Sequence, residues 1–181
     1  MAVSFLRRLL IFGVVSCCAV STANAAPAAE LPSVYRVVAT ARVSWLWWEL
    51  YQATLLTPDG RYQPGQRNLM LTLDYARAIP RSDLLDATAA EWQRLGLGTP
   101  QEQARWLDAL AQMWPDVRPG DRLSVWLDGQ GVSHFFHHQQ RLGNIQDPRF
   151  GDNFLAIWLS PDSRDTALRQ QLLSIMKEPA S

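Results

Sequence analysis

The chain has 181 residues, of which 48% are hydrophobic and 19% are charged, so it can bury one core but is too short for two comfortable ones. A composition this apolar excludes a disordered chain. Seventeen basic and seventeen acidic residues cancel, and no dense cationic stretch marks a surface for nucleic acid, which is therefore not an expected partner. Eight tryptophans are many for this length, and such rings either fill a core or line a concave site.

The first 25 residues have the pattern of an export signal. Arg7-Arg8 is followed by the apolar run Leu9–Val15 and by small residues that end in Ala23-Asn24-Ala25. This order of charged, apolar and small residues is typical of a secretory signal peptide. We therefore expect cleavage after Ala25, a leader over residues 26–32, a domain over residues 33–178 and a periplasmic location.

An alternative signal class depends on the cysteines. Val14-Val15-Ser16-Cys17 loosely resembles a lipoprotein cleavage box, in which Cys17 would become the lipidated first residue. Cys17 and Cys18 are the two cysteines of the chain, so cleavage after Ala25 leaves a domain with no disulfide and no thiol ligand for a metal. No later apolar run approaches the roughly 20 residues that a membrane span needs, and we expect no transmembrane segment in the mature chain.

Changes of hydrophobic period and turn residues divide the rest of the chain into strands and helices. In chain order the pattern first predicts a hairpin of two strands over Val34–Leu56 and a strand from Leu69 that stops at Pro80. Two helices follow, one capped by Ser82 and ended by Gly96 and one with a capping box from Thr99 to Glu102. A strand over Leu123–Leu127, a return strand over Val132–Gln140, a helix opened by Asp147-Pro148 and a last helix opened by Ser160-Pro161 complete the chain. Strands and helices occur in blocks, which favours an α+β domain with an antiparallel or mixed sheet and helices on one face.

The three histidines of the chain, His134, His137 and His138, invite a metal interpretation. On one continuous strand His134 and His138 share a face but lie about 13 Å apart, and His137 points to the other face. Three histidines so placed cannot converge on one ion without a bulge. We therefore predict packed or solvated strand residues and no metal site. No phosphate-binding loop or nucleophile elbow accompanies them.

An aromatic strand pair with embedded charges is the remaining candidate site. Alternation predicts one face with Arg42, Ser44, Leu46 and Trp48 and another with Val43, Trp45, Trp47 and Glu49. An arginine beside a tyrosine could bind an anionic head group while the rings cover an apolar tail. The alternative is that the tryptophans are core and that Arg42 lies at a solvated rim or pairs with Glu49 or Asp74.

Several short strings, in this order and spacing, resemble the chalcone isomerase-like superfamily, in particular its small exported bacterial members. They are Trp48–Ala53, Leu73–Pro80, Trp92–Gly96 followed by Thr99, Pro119–Asp121, and Asp147–Phe150 leading to Ile157–Leu159. The resemblance implies an open-faced β-sandwich, in which helices cover one face of a large antiparallel sheet. It also implies one of two activities, since the family contains enzymes that cyclise chalcones and non-catalytic members that bind fatty acids.

The residues of this chain match the binding members better than the enzymes. Arg42 is the counterpart of the family's early-strand arginine, and Tyr51 matches the tyrosine that fatty-acid-binding members pair with it. The positions of the enzymes' tyrosine, lysine and asparagine fall near Pro80, Asp83 and Ala87, which could not polarise a chalcone. The resemblance thus implies ligand binding by Arg42 and Tyr51, with no catalytic residue and no cofactor, to a small amphipathic or fatty-acid-like molecule. Two alternatives are an intramolecular lyase and an accessory envelope protein whose cleft its own tryptophans close.

Overall fold

The fold is α+β, as the block order predicts, and it consists of six strands and four helices in the part of the chain that the structure describes. This computed structural model describes residues 31–32, 34–45 and 48–173; the predicted signal peptide and most of the predicted leader lie outside them, as do Leu46 and Trp47. In chain order the elements are β1 (Arg36–Trp45), β2 (Trp48–Thr57), β3 (Leu69–Tyr75), α1 (Arg81–Leu95), α2 (Pro100–Met113), β4 (Arg122–Leu127), β5 (Ser133–His137), β6 (Gln140–Ile145), α3 (Pro148–Leu159) and α4 (Thr166–Leu173). None of these helices is long and apolar enough to cross a membrane.

The strands form one antiparallel sheet in the order β1-β2-β3-β4-β5-β6, so each strand pairs with its neighbours in the chain. Leu55, Leu71, Val125 and Phe135 lie side by side across β2 to β5, and all four are buried. Successive side chains of a strand point to opposite faces, which makes this row part of the face against which the helices pack. The predicted antiparallel sheet with helices packed on it is confirmed.

Aromatic rings connect the helices to the sheet. Trp92 of α1, Trp106 of α2 and Phe150 of α3 meet edge to face, with ring centroids 5.3 to 6.0 Å apart, and Phe150 contacts Phe135 of β5 at 5.8 Å. The indole N–H of Trp92 donates to the carbonyl of Asn153 at 3.2 Å. Edge-to-face pairs add about 0.5–1.5 kcal/mol each to the gain from burying the rings. These tryptophans are therefore core residues.

The two predicted helix starts in the middle of the chain differ in outcome. The capping box of α2 is confirmed, because Thr99 Oγ1 accepts from the Glu102 amide at 3.3 Å and Glu102 Oε2 accepts from the Thr99 amide at 2.8 Å. The prediction that Ser82 caps α1 was wrong, because the N-cap residue is Pro80 and the helix begins at Arg81, which places Ser82 inside the first turn. The carboxylate of Asp116 accepts from the Arg81 amide at 2.8 Å and so supplies the cap from a distant loop.

The predicted return strand over Val132–Gln140 is two strands, β5 and β6, joined by a tight turn at His138 and Gln139. His138 has a φ of 53°, a left-handed conformation that glycine and asparagine favour in such turns. Because neither residue type is present at this position, the sequence carries no turn signal here and the strand was predicted to continue.

The last helix begins later than its predicted start at Ser160-Pro161. A turn follows α3, and α4 starts at Thr166. Asp165 precedes it and accepts a hydrogen bond from the Leu168 amide at 2.8 Å, the usual role of an N-cap carboxylate. A better cap thus outweighs a proline at the first helical position.

Candidate functional site

An apolar cavity lies between the sheet and helices α1 and α3. Its volume is about 160 Å³, and its lining comes mainly from β2 to β5 and the two helices. An engineered protein cavity of about 150 Å³ holds one benzene molecule, whereas pockets for drug-sized ligands have roughly 300–1,000 Å³. The cavity in this conformation therefore holds a group about the size of one ring or a short alkyl chain.

Two neighbouring tyrosines lie in the wall of this cavity. Tyr51 of β2 and Tyr75 of β3 are direct cross-strand partners, and their ring centroids are 5.8 Å apart. Both line the cavity. Their side chains stand on the same face as the buried leucines of β3, where Tyr75 is buried and Tyr51 is partly buried.

Both tyrosine hydroxyls stay protonated at neutral pH. Burial raises the pKa of Tyr51 to about 12; the hydrogen bond from Trp158 opposes this rise, and the charges of Asp165 and Glu91 add to it. Burial likewise raises the pKa of Tyr75 well above its ordinary value, with a smaller contribution from Tyr51. Each hydroxyl is therefore a neutral hydrogen-bond donor.

The hydroxyl protons of this pair are available to a ligand. Trp158 Nε1 donates to Tyr51 Oη at 3.0 Å, which uses the oxygen of Tyr51 and leaves its proton free. Neither Tyr51 nor Tyr75 donates to an acceptor within residues 31–32, 34–45 and 48–173. Thr88, which also lines the cavity, is instead occupied, since its hydroxyl donates to the carbonyl of Leu84 at 2.8 Å.

Glu91 is the charged residue among the described residues of the lining. Its Oε2 lies 2.8 Å from Arg94 Nη2, and its Oε1 lies 2.7 Å from Arg164 Nε. Both carboxylate oxygens thus have guanidinium partners. An anionic group inside the cavity would meet no lysine or arginine among these lining residues.

The two residues predicted to bind the head group are separated. Tyr51 lines the cavity, whereas Arg42 does not. In the hairpin, Val43 pairs with Tyr51 and Arg42 pairs with Gln52, so Arg42 and Tyr51 point to opposite faces of the sheet. The Arg42 side chain is 72% exposed, and its Nε lies 3.9 Å from Glu49 Oε1. This is the rim position and the Glu49 pairing of the alternative interpretation. Trp47 lies outside the described residues.

The three positions at which the resemblance places enzymatic side chains offer no catalytic group to the cavity. Pro80 and Asp83 are exposed at the start of α1, and Ala87 lines the cavity with a methyl group. Sequence reasoning did not single out Tyr75 or Trp158. The first could have been found from its alternation with the buried leucines of β3, and the second from its helical spacing with Phe154.

Comparison with known proteins agrees with this architecture. The sequence profile described as chalcone isomerase-like matches residues 44–174. An uncharacterized protein of Haemophilus influenzae is 29% identical over 155 residues, which cover 85% of this chain and 73% of that protein. The crystal structure of a fatty-acid binding protein of Arabidopsis thaliana superposes with a TM-score of 0.61 and 10% identity, covering 82% of this chain and 91% of that one. Because the profile spans more than half of its length, the chain belongs to the chalcone isomerase-like family.

Proposed function

We propose that this protein binds a small amphipathic ligand and does not transform it. The apolar part of the ligand enters the cavity between the sheet and helices α1 and α3, and an oxygen of its head group accepts a hydrogen bond from Tyr51 or Tyr75. The observation that carries the proposal is a pair of tyrosines, Tyr75 buried and Tyr51 partly buried, that line an apolar cavity with hydroxyl protons available to a ligand. Binding sites combine an apolar lining with a few polar groups in this way.

The chain shares its fold with a fatty-acid binding protein, which supports ligand binding in place of catalysis. Rate acceleration needs groups aimed at charge that develops in the transition state. The polar groups of this lining are few, and the carboxylate of Glu91 is held by Arg94 and Arg164. An intramolecular lyase is therefore the weaker candidate.

The charges near the cavity favour a neutral head group, such as an alcohol, aldehyde or ester. Glu91 and Asp165 both act to raise the pKa of Tyr51, which means that the potential at its hydroxyl disfavours negative charge. A buried carboxylate without a cationic partner is costly. A fatty-acid carboxylate is the second candidate, because the Arabidopsis protein that shares this fold is a fatty-acid binding protein.

A fluorescence titration with 1-octanol and octanoate, matched in chain length, tests both candidates. Trp114 and Trp158 line the cavity, so their emission should respond to an occupant. At neutral pH we expect saturable binding of octanol and weaker binding of octanoate. Tighter binding of octanoate would favour the fatty-acid candidate, and no response to either would favour an accessory protein with a closed cleft.

Two matched variants locate the head group. Tyr75→Phe removes a donor and should weaken octanol binding about 2- to 12-fold, the range that a net hydrogen bond of about 0.5–1.5 kcal/mol gives. Arg42→Ala is the control, because Arg42 is exposed on the other face of the sheet, and should bind octanol like the wild type. If Arg42→Ala loses binding and Tyr75→Phe does not, the site lies elsewhere.

We also propose export to the periplasm with cleavage after Ala25. The arginine pair, the apolar run and the small residues of the first 25 positions support this location. N-terminal sequencing of the protein from a periplasmic fraction should begin at Ala26. A blocked, lipid-modified Cys17 in the membrane fraction would instead identify a lipoprotein.

A further inference from the structure

Two histidines and one aspartate meet where the β5–β6 turn approaches the start of β4. The prediction that His137 and His138 point apart was wrong, because β5 ends at His137 and the turn brings His138 to the same side. Their rings have centroids 4.5 Å apart. His134 remains separate, since its Nε2 lies 2.9 Å from Asp128 Oδ2 and its ring stacks on Trp126.

Both histidines point their Nε2 atoms at one carboxylate oxygen. His137 Nε2 and His138 Nε2 each lie 3.3 Å from Asp121 Oδ1. The other oxygen, Asp121 Oδ2, accepts from the Arg118 amide at 2.8 Å and so fixes the carboxylate. The neighbouring Arg122 pairs with Asp74 at 2.6 Å and does not take Asp121 as its partner.

These separations match those of metal ligands. Tetrahedral zinc with bonds of about 2.0–2.2 Å to nitrogen and oxygen places neighbouring ligand atoms about 3.3–3.5 Å apart. The two N···O distances agree with that edge, and all three ligand atoms lie within 4.8 Å of one another. Imidazole and carboxylate are a suitable donor set for zinc and other late first-row divalent ions.

Hydrogen bonds within the protein do not fully account for the way these three side chains meet. His137 Nε2 is shielded from solvent and makes no well-aligned hydrogen bond within the described chain. His138 holds a left-handed backbone conformation, which is strained for a residue other than glycine. Strained conformations cluster at functional sites. We propose that Asp121, His137 and His138 bind a late first-row divalent cation, for which zinc is the probe, and leave a fourth coordination position open.

Isothermal titration with zinc tests this proposal on the untagged protein after dialysis against a chelator. We expect one zinc ion per chain, and substitution of cobalt should give the visible absorption of a tetrahedral complex. His138→Asn is the decisive variant, because asparagine tolerates the left-handed conformation and the turn should survive. Loss of an outer-shell partner typically weakens metal binding about 10- to 100-fold. Loss of one of three direct ligands should therefore weaken zinc binding by about tenfold or more.

His134→Gln is the matched control, since it removes a histidine outside the cluster, and it should bind zinc like the wild type. Circular dichroism verifies that each variant is folded. The proposal is overturned if the wild type shows no saturable one-to-one binding, if His138→Asn binds as tightly as the wild type, or if His134→Gln alone abolishes binding.

Discussion

Removing the Tyr51 hydroxyl should destabilise the protein, whereas removing the Tyr75 hydroxyl should not. The two tyrosines are cross-strand partners in the same cavity wall, and they differ in one respect. The Tyr51 oxygen accepts the indole N–H of Trp158 at 3.0 Å, and Trp158 is 7% exposed. Tyr51→Phe therefore leaves a buried donor without an acceptor.

The size of this effect follows from the cost of removing one partner of a buried hydrogen bond while the other partner stays buried. An unsatisfied buried donor costs about 1–3 kcal/mol, and the loss of one buried hydroxyl offsets part of that cost. We expect Tyr51→Phe to lower the free energy of unfolding by about 1–2 kcal/mol, or the Tm by roughly 3–8 °C for a domain of this size. Tyr75→Phe should change the free energy of unfolding by less than about 0.5 kcal/mol.

Thermal unfolding and urea denaturation, both followed by circular dichroism, measure the two variants under the same conditions. A double-mutant cycle with Trp158→Phe tests the mechanism. The double variant should lose less free energy of unfolding than the Tyr51→Phe and Trp158→Phe single variants lose together. Equal loss of stability in Tyr51→Phe and Tyr75→Phe would refute the reasoning, since the Trp158 hydrogen bond could not then be the cause.

Two further predictions concern stability. Gly98→Ala should lower the free energy of unfolding, measured by urea denaturation, clearly more than Gly65→Ala does. Both glycines have a positive φ, but a Cβ at Gly98 would lie 2.8 Å from the Trp106 ring, whereas a Cβ at Gly65 would meet nothing within 4 Å. Equal losses of stability would contradict this packing argument. Burial acts to raise the pKa of Asp128, but hydrogen bonds from His134 and two backbone amides outweigh it and hold the pKa below its usual value. A lowered pKa in the folded state contributes stability above the unfolded-state pKa of about 3.9 that is lost as the pH falls through the folded-state pKa. The Tm deficit of Asp128→Asn should therefore shrink below about pH 4, and a deficit that stays constant between pH 7 and pH 3 would exclude this linkage.

Much of the fold could be predicted because its signals are local. The capping box at Thr99 and the period-2 pattern of β3 are written in short segments, and the structure has both elements. The boundary between β5 and β6 could not be predicted, because the turn uses His138 in a conformation that other residue types mark more clearly. The missed turn also concealed that His137 and His138 lie together.

The two residues predicted to bind the ligand lie on different faces of the sheet for a related reason. Tyr51 lies in the cavity wall, as a ligand-binding residue would. Arg42 does not, because the register of the β1–β2 hairpin pairs it with Gln52, and a shift of one residue moves a side chain to the other face of a sheet. Between the end of β1 and the start of β2 the sequence carries no glycine, asparagine or proline that would mark this register. Long-range contacts such as Trp158 with Tyr51 depend in turn on how α3 packs.

The order of the strands has a consequence for how the chain folds. Within β1-β2-β3 and within β4-β5-β6 the connections are short, so each meander can form from local contacts. Pairing of β3 with β4 must instead close a loop of residues 76–121, which carries α1 and α2 and has a larger entropic cost. We expect this to be the slow step of sheet assembly. The cavity spans the junction between β3 and β4, with Tyr51 and Tyr75 on one meander and Val125 on the other. A bound ligand would therefore hold the two meanders together and slow their separation.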